Sequence, residues 1–190
     1  MDEFLKVSYT LVPLLLGLTV HGLCIRFGWL GWLARPIDAG ATLGGKRLFG
    51  VNKTYRGIVA VALGTGAGFA LQAALHWVGV GHTVEVVNYA NPSVVGLGVA
   101  MGVAAMVSEL PNSLLKRQLE IAPGAGGEGA AGVVFYVLDQ IDMLVGVWIV
   151  LGCVTAVTTA RVLGSVVFLF VAHQVLTVGG YRLGLRATAR

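Results

Sequence analysis

The stretch VVFYVLDQIDMLVGVWIVLGCV, residues 133–154, decides the fold. Its only charges are Asp139 and Asp142. A helix needs roughly 20 apolar residues to cross the hydrocarbon core of a bilayer, and the run lacks the period-two alternation of a barrel strand. As a helix rising about 1.5 Å per residue, it puts both carboxylates on one face, roughly 10 Å inside the nearer end of the span. A charge at the centre of a helix in lipid costs about 2.5–3.5 kcal/mol. Two of them, three residues apart, demand compensation. A divalent cation held by both carboxylates supplies it, as at many Mg²⁺ sites; so does a proton or cation path, or ion pairs to basic loops.

Working outward, four more stretches are long and apolar enough to span: about 6–25, 57–79, 94–115 and 162–180. They predict an all-α, polytopic membrane bundle of five transmembrane helices in a single integral membrane domain, 1–190, with polar loops at about 26–56 and 116–132. The composition agrees, with 56% hydrophobic residues and only 12% charged, where a soluble domain carries about a quarter charged. That shortfall excludes an ordinary water-facing surface. The opening Met1-Asp2-Glu3 is acidic where a secretory signal is basic, so the first span is expected to be a retained helix.

The basic residues set the orientation. Arg26, Arg35, Lys46, Arg47, Lys53 and Arg56 lie between the first two spans, Lys116 and Arg117 follow the third, and Arg182, Arg186 and Arg190 follow the fifth. Lys6 and Arg161 alone fall on the other side. The positive-inside rule then gives N-terminus out and C-terminus cytoplasmic, with the polar chemistry gathered on the cytoplasmic face. The net charge of +4 is thus a topological signal, and without aromatic residues interleaved among the cations no nucleic-acid partner is expected. Cys24 and Cys153 fall near opposite faces, too far apart for a disulfide, and read as buried packing residues. Gly64, Gly66 and Gly68 in the second span, with Gly98 and Gly102 in the third, have the small-residue spacing of close helix packing. His21, His76, His82 and His173 are scattered and read as structural or interfacial. No oligomeric state follows from the sequence.

Two further stretches carry chemistry. The loop RPIDAGATLGGKRLFGVNKTYR, residues 35–56, mixes cations with glycines, whose backbone N–H groups can approach an anion closely. It suits either a bound phosphate or the anionic heads of membrane lipids. In SELPNSLLKR, residues 108–117, helical spacing puts Glu109, Asn112, Ser113 and Lys116 on one face, with Pro111 a candidate kink. Metal-binding carboxylates, cations and flexible glycines together are the inventory of phosphoryl or nucleotidyl transfer. A transporter or channel using the intramembrane carboxylates, and another lipid-phosphate enzyme such as a polyprenol kinase, draw on the same inventory.

These residues resemble the CDP-archaeol synthase family, five-span membrane cytidylyltransferases related to CDP-diacylglycerol synthases. The resemblance runs through Arg35–Gly40, Gly45–Gly50, Asn52–Gly57, Ser113 with Lys116-Arg117, and Leu138–Asp142. It implies transfer of CMP from CTP to the prenyl-ether lipid digeranylgeranylglyceryl phosphate, with Mg²⁺ as cofactor. By that resemblance Asp139, Asp142 and Glu109 are metal ligands, and Lys116 and Arg117 bind phosphate at the catalytic centre. Lys46, Arg47, Asn52, Lys53, Thr54, Arg56, Asn112 and Ser113 bind substrate. Two features depart from the family pattern: Ser108-Glu109 stands where the family usually has Gly-Asp, and the Gly-rich stretch Pro123–Ala131 is longer than its linker. That stretch is either a lid over the polar cavity or a slack connector.

Overall fold

Lipid gives helices no hydrophobic reason to associate, so a membrane bundle coheres through close backbone packing and polar ties. The computed structural model describes residues 2–122 and 129–182. In chain order they form α1 (Asp2–Arg26), a 3-10 turn (Gly31–Leu33), strands β1 (Thr42–Leu43) and β2 (Lys46–Arg47), and α2 (Tyr55–Trp77). A second 3-10 turn (His82–Val84), α3 (Val94–Ser108), α4 (Leu110–Gln118), α5 (Gly129–Leu151) and α6 (Thr159–Arg182) follow. Four helical stretches are long and apolar enough to cross a membrane: α1, α2, Val94–Gln118 and Gly132–Leu151. The apolar part of α6, Thr159–Ala172, is shorter. The chain is a multi-pass membrane protein.

α2 is the central helix, flanked by α1 and α3; α5 packs on α3, and α6 closes against α1 and α5. Glycines govern these contacts. A Cβ on Gly64 would stand 2.7 Å from the Gly17 Cα, and one on Gly102 would stand 2.6 Å from the Ala62 Cα. The Phe69 ring lies over Gly98, Val99 over Gly66, and Pro13 of α1 over Gly68. On α5, a Cβ on Gly146 would fall on the carbonyl of Ala104. The core between them is apolar, built from Leu11 and Leu14, Val61 and Phe69, Met101 and Ala105, and Val147 and Leu151. Outward-facing Leu63, Leu71, Ile149 and Val167 are each more than half exposed. So wide an apolar belt belongs in lipid.

Several expectations change. The third span is two helices, because α3 ends at Ser108 and α4 begins at Leu110 after a turn at Glu109. Pro111 therefore sits in the first turn of a new helix, where its missing N–H costs nothing, just after the break in the third span. α5 ends at Leu151, before the predicted 154, and leaves Cys153 exposed; only Cys24 is buried. The loop 26–56 is folded, with β1 and β2 an antiparallel pair and Pro36 bridged to Thr54. Among the described residues these strands are the only departure from an all-α chain. Polar groups also gather at the far end of the bundle, where Arg161 binds Glu3 at 2.6 Å and His76 binds Glu85 at 2.8 Å. His76 and His82 are stacked, not scattered. Residues 123–128 of the Gly-rich stretch and residues 183–190 of the basic tail lie outside the described residues, as does the side chain of His173.

Overpacking a tight core costs about 1–3 kcal/mol, and Gly146 has less room than any ordinary core position. Gly146→Ala is expected to lower the thermal midpoint of the purified protein by several degrees. Gly96→Ala, which meets nothing within 4 Å, is expected to leave it unchanged.

Candidate active site

The loop between α1 and α2 is organised by one acid. Asp38 is buried and accepts hydrogen bonds from the backbone N–H of Gly40 at 3.0 Å, Phe49 at 3.2 Å and Gly50 at 3.2 Å. The guanidinium of Arg47 donates to it at 2.6 Å. Burial alone would raise the Asp38 pKa, but these four donors outweigh it and hold the carboxyl down at about 2. Gly40, Gly44, Gly45 and Gly50 all have positive φ, the conformation that lets so short a chain wrap one carboxylate. The loop then feeds into α2 through Thr54, whose hydroxyl accepts from the Gly57 N–H at 3.3 Å as an N-cap.

α4 brings the opposite wall. Asn112 donates its amide Nδ2 to Asp139 at 2.7 Å and to Asp142 at 2.9 Å, bridging the two carboxylates of α5. Lys116 Nζ donates to both oxygens of Asp139 at 2.6 Å and lies 5.5 Å from the centre of the Phe135 ring. Asp142 also accepts from the Met143 N–H at 2.7 Å. The compensation demanded by two carboxylates in lipid thus comes from a neighbouring helix, as an ammonium and an amide. Lys46, on β2, donates to the carbonyl of Gln118 at 2.7 Å and pairs with Glu120 at 3.0 Å, so the hairpin docks on the end of α4.

The structure brings Asn112, Lys116, Asp139 and Asp142 together as expected, with Glu109 at the head of the helix that carries Asn112 and Lys116. Glu109, at the turn between α3 and α4, is paired with Lys53. Among the described residues, its carboxylate does not gather with those of Asp139 and Asp142 within 4.8 Å. Glu109 caps the start of α4, its carbonyl accepting from the Ser113 N–H at 3.0 Å, so Glu109, Asn112, Ser113 and Lys116 keep helical spacing. Ser113 is buried on α4, and Asn52 is exposed on the turn before Lys53. Thr54 is engaged as a cap, and Arg47 as the partner of Asp38.

Some buried polar atoms have no partner among the described residues: Nε and Nη1 of Arg117, Nε of Arg56 and of Arg47, and Oδ1 of Asn112. Buried donors of this kind are costly unless a ligand satisfies them. The arginines offer N–H groups to an anion, and Asn112 offers a hard oxygen beside two carboxylates. The anchoring role of Asp38 is not one that the loop's cations and glycines suggest. Its signal was its solitude, as the one acid among the cations of residues 26–56.

Comparison with known proteins then gives the lineage. The CarS-like CDP-archaeol synthase family model matches residues 5–189. The chain belongs to this family. It is 34% identical over 169 residues to the CDP-archaeol synthase of Halorubrum lacusprofundi, covering 80% of this chain and 82% of that protein. It is 40% identical over 113 residues to that of Halobacterium salinarum, where the match spans 58% of this chain and 55% of the relative's length. A solved structure of an intramembrane enzyme for archaeal membrane lipid biosynthesis shares the fold, with a TM-score of 0.64 and 20% identity. That likeness covers 90% of this chain and 91% of the other.

The Asp38 anchor has a pH signature. A carboxyl held below its ordinary value stabilises the fold above that value, and the contribution is lost as pH falls through the folded pKa. Amide-exchange protection of Phe49 and Gly50 is therefore expected to hold from neutral pH down to about 4, and to fall away toward about 2. In Asp38→Ala the protection is expected to be absent at every pH, with the helices still protected.

Proposed function

We propose that the chain transfers CMP from CTP to digeranylgeranylglyceryl phosphate, giving CDP-archaeol and pyrophosphate. The observation that carries this is the α4–α5 cluster, in which Asn112 and Lys116 hold Asp139 and Asp142; on the same helix α4, Nε and Nη1 of Arg117 are buried without a partner among the described residues. Paired carboxylates and free arginine donors are complementary in charge to a triphosphate with its cation. The family membership supports the same substrates.

Mg²⁺ fits this donor set, because the carboxylates of Asp139 and Asp142 are the hard oxygens it prefers. Asp139 and Asp142 would hold it, and it would offset the negative charge of the triphosphate. The rest of the chemistry falls to the chain's own residues. A lipid phosphate oxygen bonds to the α-phosphorus of CTP as the bond from that phosphorus to the α,β-bridging oxygen breaks, and pyrophosphate leaves with the electron pair. The phosphate nucleophile is already an anion at neutral pH, so no side chain need remove a proton. Arg117 and Arg56 donate to phosphate oxygens, and arginine does so with two parallel N–H groups. Lys116 has three N–H donors, two of them on Asp139, and offers the third to the same phosphates. Asn52 contacts substrate from the loop, while Lys46, Arg47 and Thr54 keep that loop folded. Lys53 and Glu109 position one another at the α3–α4 turn.

The orientation that follows from the basic residues puts this end of the bundle in the cytoplasm, where CTP is, and lets the prenyl tails remain in lipid. In an assay with four nucleoside triphosphates and ether and ester lipid phosphates, CTP with the ether lipid is expected to give CDP-lipid and pyrophosphate. Chelation of divalent cations is expected to abolish turnover, and ATP to replace CTP poorly. Asp139→Asn and Asp142→Asn are each expected to lower the rate by at least about 100-fold with the fold intact. Ion flux through liposomes without CTP turnover would instead favour a cation path.

A further inference from the structure

At the end of α2 far from Thr54, about 35 Å along the helix, the chain returns on itself through Gly79 and Gly81. Both have positive φ, at 83° and 96°. This return brings His76, His82 and Glu85 together, with one ligand-type atom from each lying within 4.8 Å of the other two. His76 Nδ1 is 2.8 Å from Glu85 Oε1, and the two imidazoles are stacked with centres 4.4 Å apart. His82 Nε2 is 2.8 Å from the backbone carbonyl of His76. A carbonyl only accepts, so Nε2 carries the proton and Nδ1 keeps its lone pair. A ring held by a backbone carbonyl through one nitrogen, with the other free, is how metal-binding histidines are usually fixed.

We propose that His76, His82 and Glu85 form a second metal site, for a Zn²⁺-class divalent ion, on the face of the membrane opposite the catalytic carboxylates. Two imidazoles and one carboxylate are the ligand set of open zinc sites, with a fourth position left for water. Nitrogen ligands also select against Mg²⁺, which prefers oxygen. An ion pair of His76 with Glu85 at the helix end accounts for those two residues, and His82 is held against them by the His76 carbonyl through Nε2 alone. Two protonated imidazoles would repel at that distance, whereas one shared cation holds both. The loop is also preorganised, because Gly81 lies against Tyr9 of α1, where a Cβ would come 2.8 Å from the hydroxyl. The bound ion ties the α2–α3 connection to α2 and steadies the two helices that frame the catalytic end.

The test uses the full chain in detergent, without a polyhistidine tag, titrated with Co²⁺ as a coloured probe and with Zn²⁺ in competition, in excess Mg²⁺. One Co²⁺ per chain is expected to bind with the intense visible bands of a four-coordinate site, and Zn²⁺ to displace it. Saturating Zn²⁺ is expected to raise the melting temperature by roughly 5 °C. His82→Ala removes an exposed side chain and should melt normally without metal, yet lose both responses; Glu85→Gln should lose them too. Asp139→Asn should keep them. No saturable Co²⁺ binding, or binding unchanged in both His82→Ala and Glu85→Gln, would overturn the proposal, as would its loss in Asp139→Asn.

Discussion

A carboxylate inside a hydrocarbon slab must find a partner, and this chain sets two of them one helical turn apart. The packing at this end of the bundle follows from that demand. α4 carries Asn112 and Lys116 against Asp139 and Asp142, and it begins after the turn at Glu109. Lys46 fixes the hairpin to the end of α4, and Lys53 fixes the start of α2 to the turn before it. The positions of three helices and one loop are therefore tied to the same compensated charges.

A second, smaller constraint acts within the loop. A Gly-rich cationic segment has no reason of its own to fold, since its charges repel and its glycines favour disorder. Asp38 reverses both tendencies by accepting three backbone N–H groups and one guanidinium. Among the described residues, Nε of Arg56 and Nε and Nη1 of Arg117 on α4 are left without a partner. Had every arginine found a carboxylate, the end of the bundle would be a salt-bridge network with nothing to offer an anion.

The spans were legible because hydropathy reports a bulk solvent, and a run of roughly 20 apolar residues matches the thickness of a bilayer core. The carboxylate pair was legible for the same reason, since charge in such a run must be functional or compensated. Helical spacing also placed Asn112 and Lys116 correctly, because it acts within one helix. It did not show that Glu109 is paired with Lys53, because that partner comes from the loop before α2. The meeting of His76, His82 and Glu85 depends on two left-handed glycines, and Asp38 on a wrap through four more. Backbone reversals of that kind leave no periodic trace, so neither cluster could be read from spacing.

The glycine contacts bear on how such a chain changes over time. Gly17, Gly64, Gly102 and Gly146 stand where one helix backbone touches the next, and no side chain fits there. Leu63, Leu71, Ile149 and Val167 face lipid, where one apolar residue serves nearly as well as another. Substitution is thus free on the outside of the bundle and forbidden along its seams. A descendant can exchange most of its letters and keep the same shape, which accords with a fold retained in a structure only 20% identical.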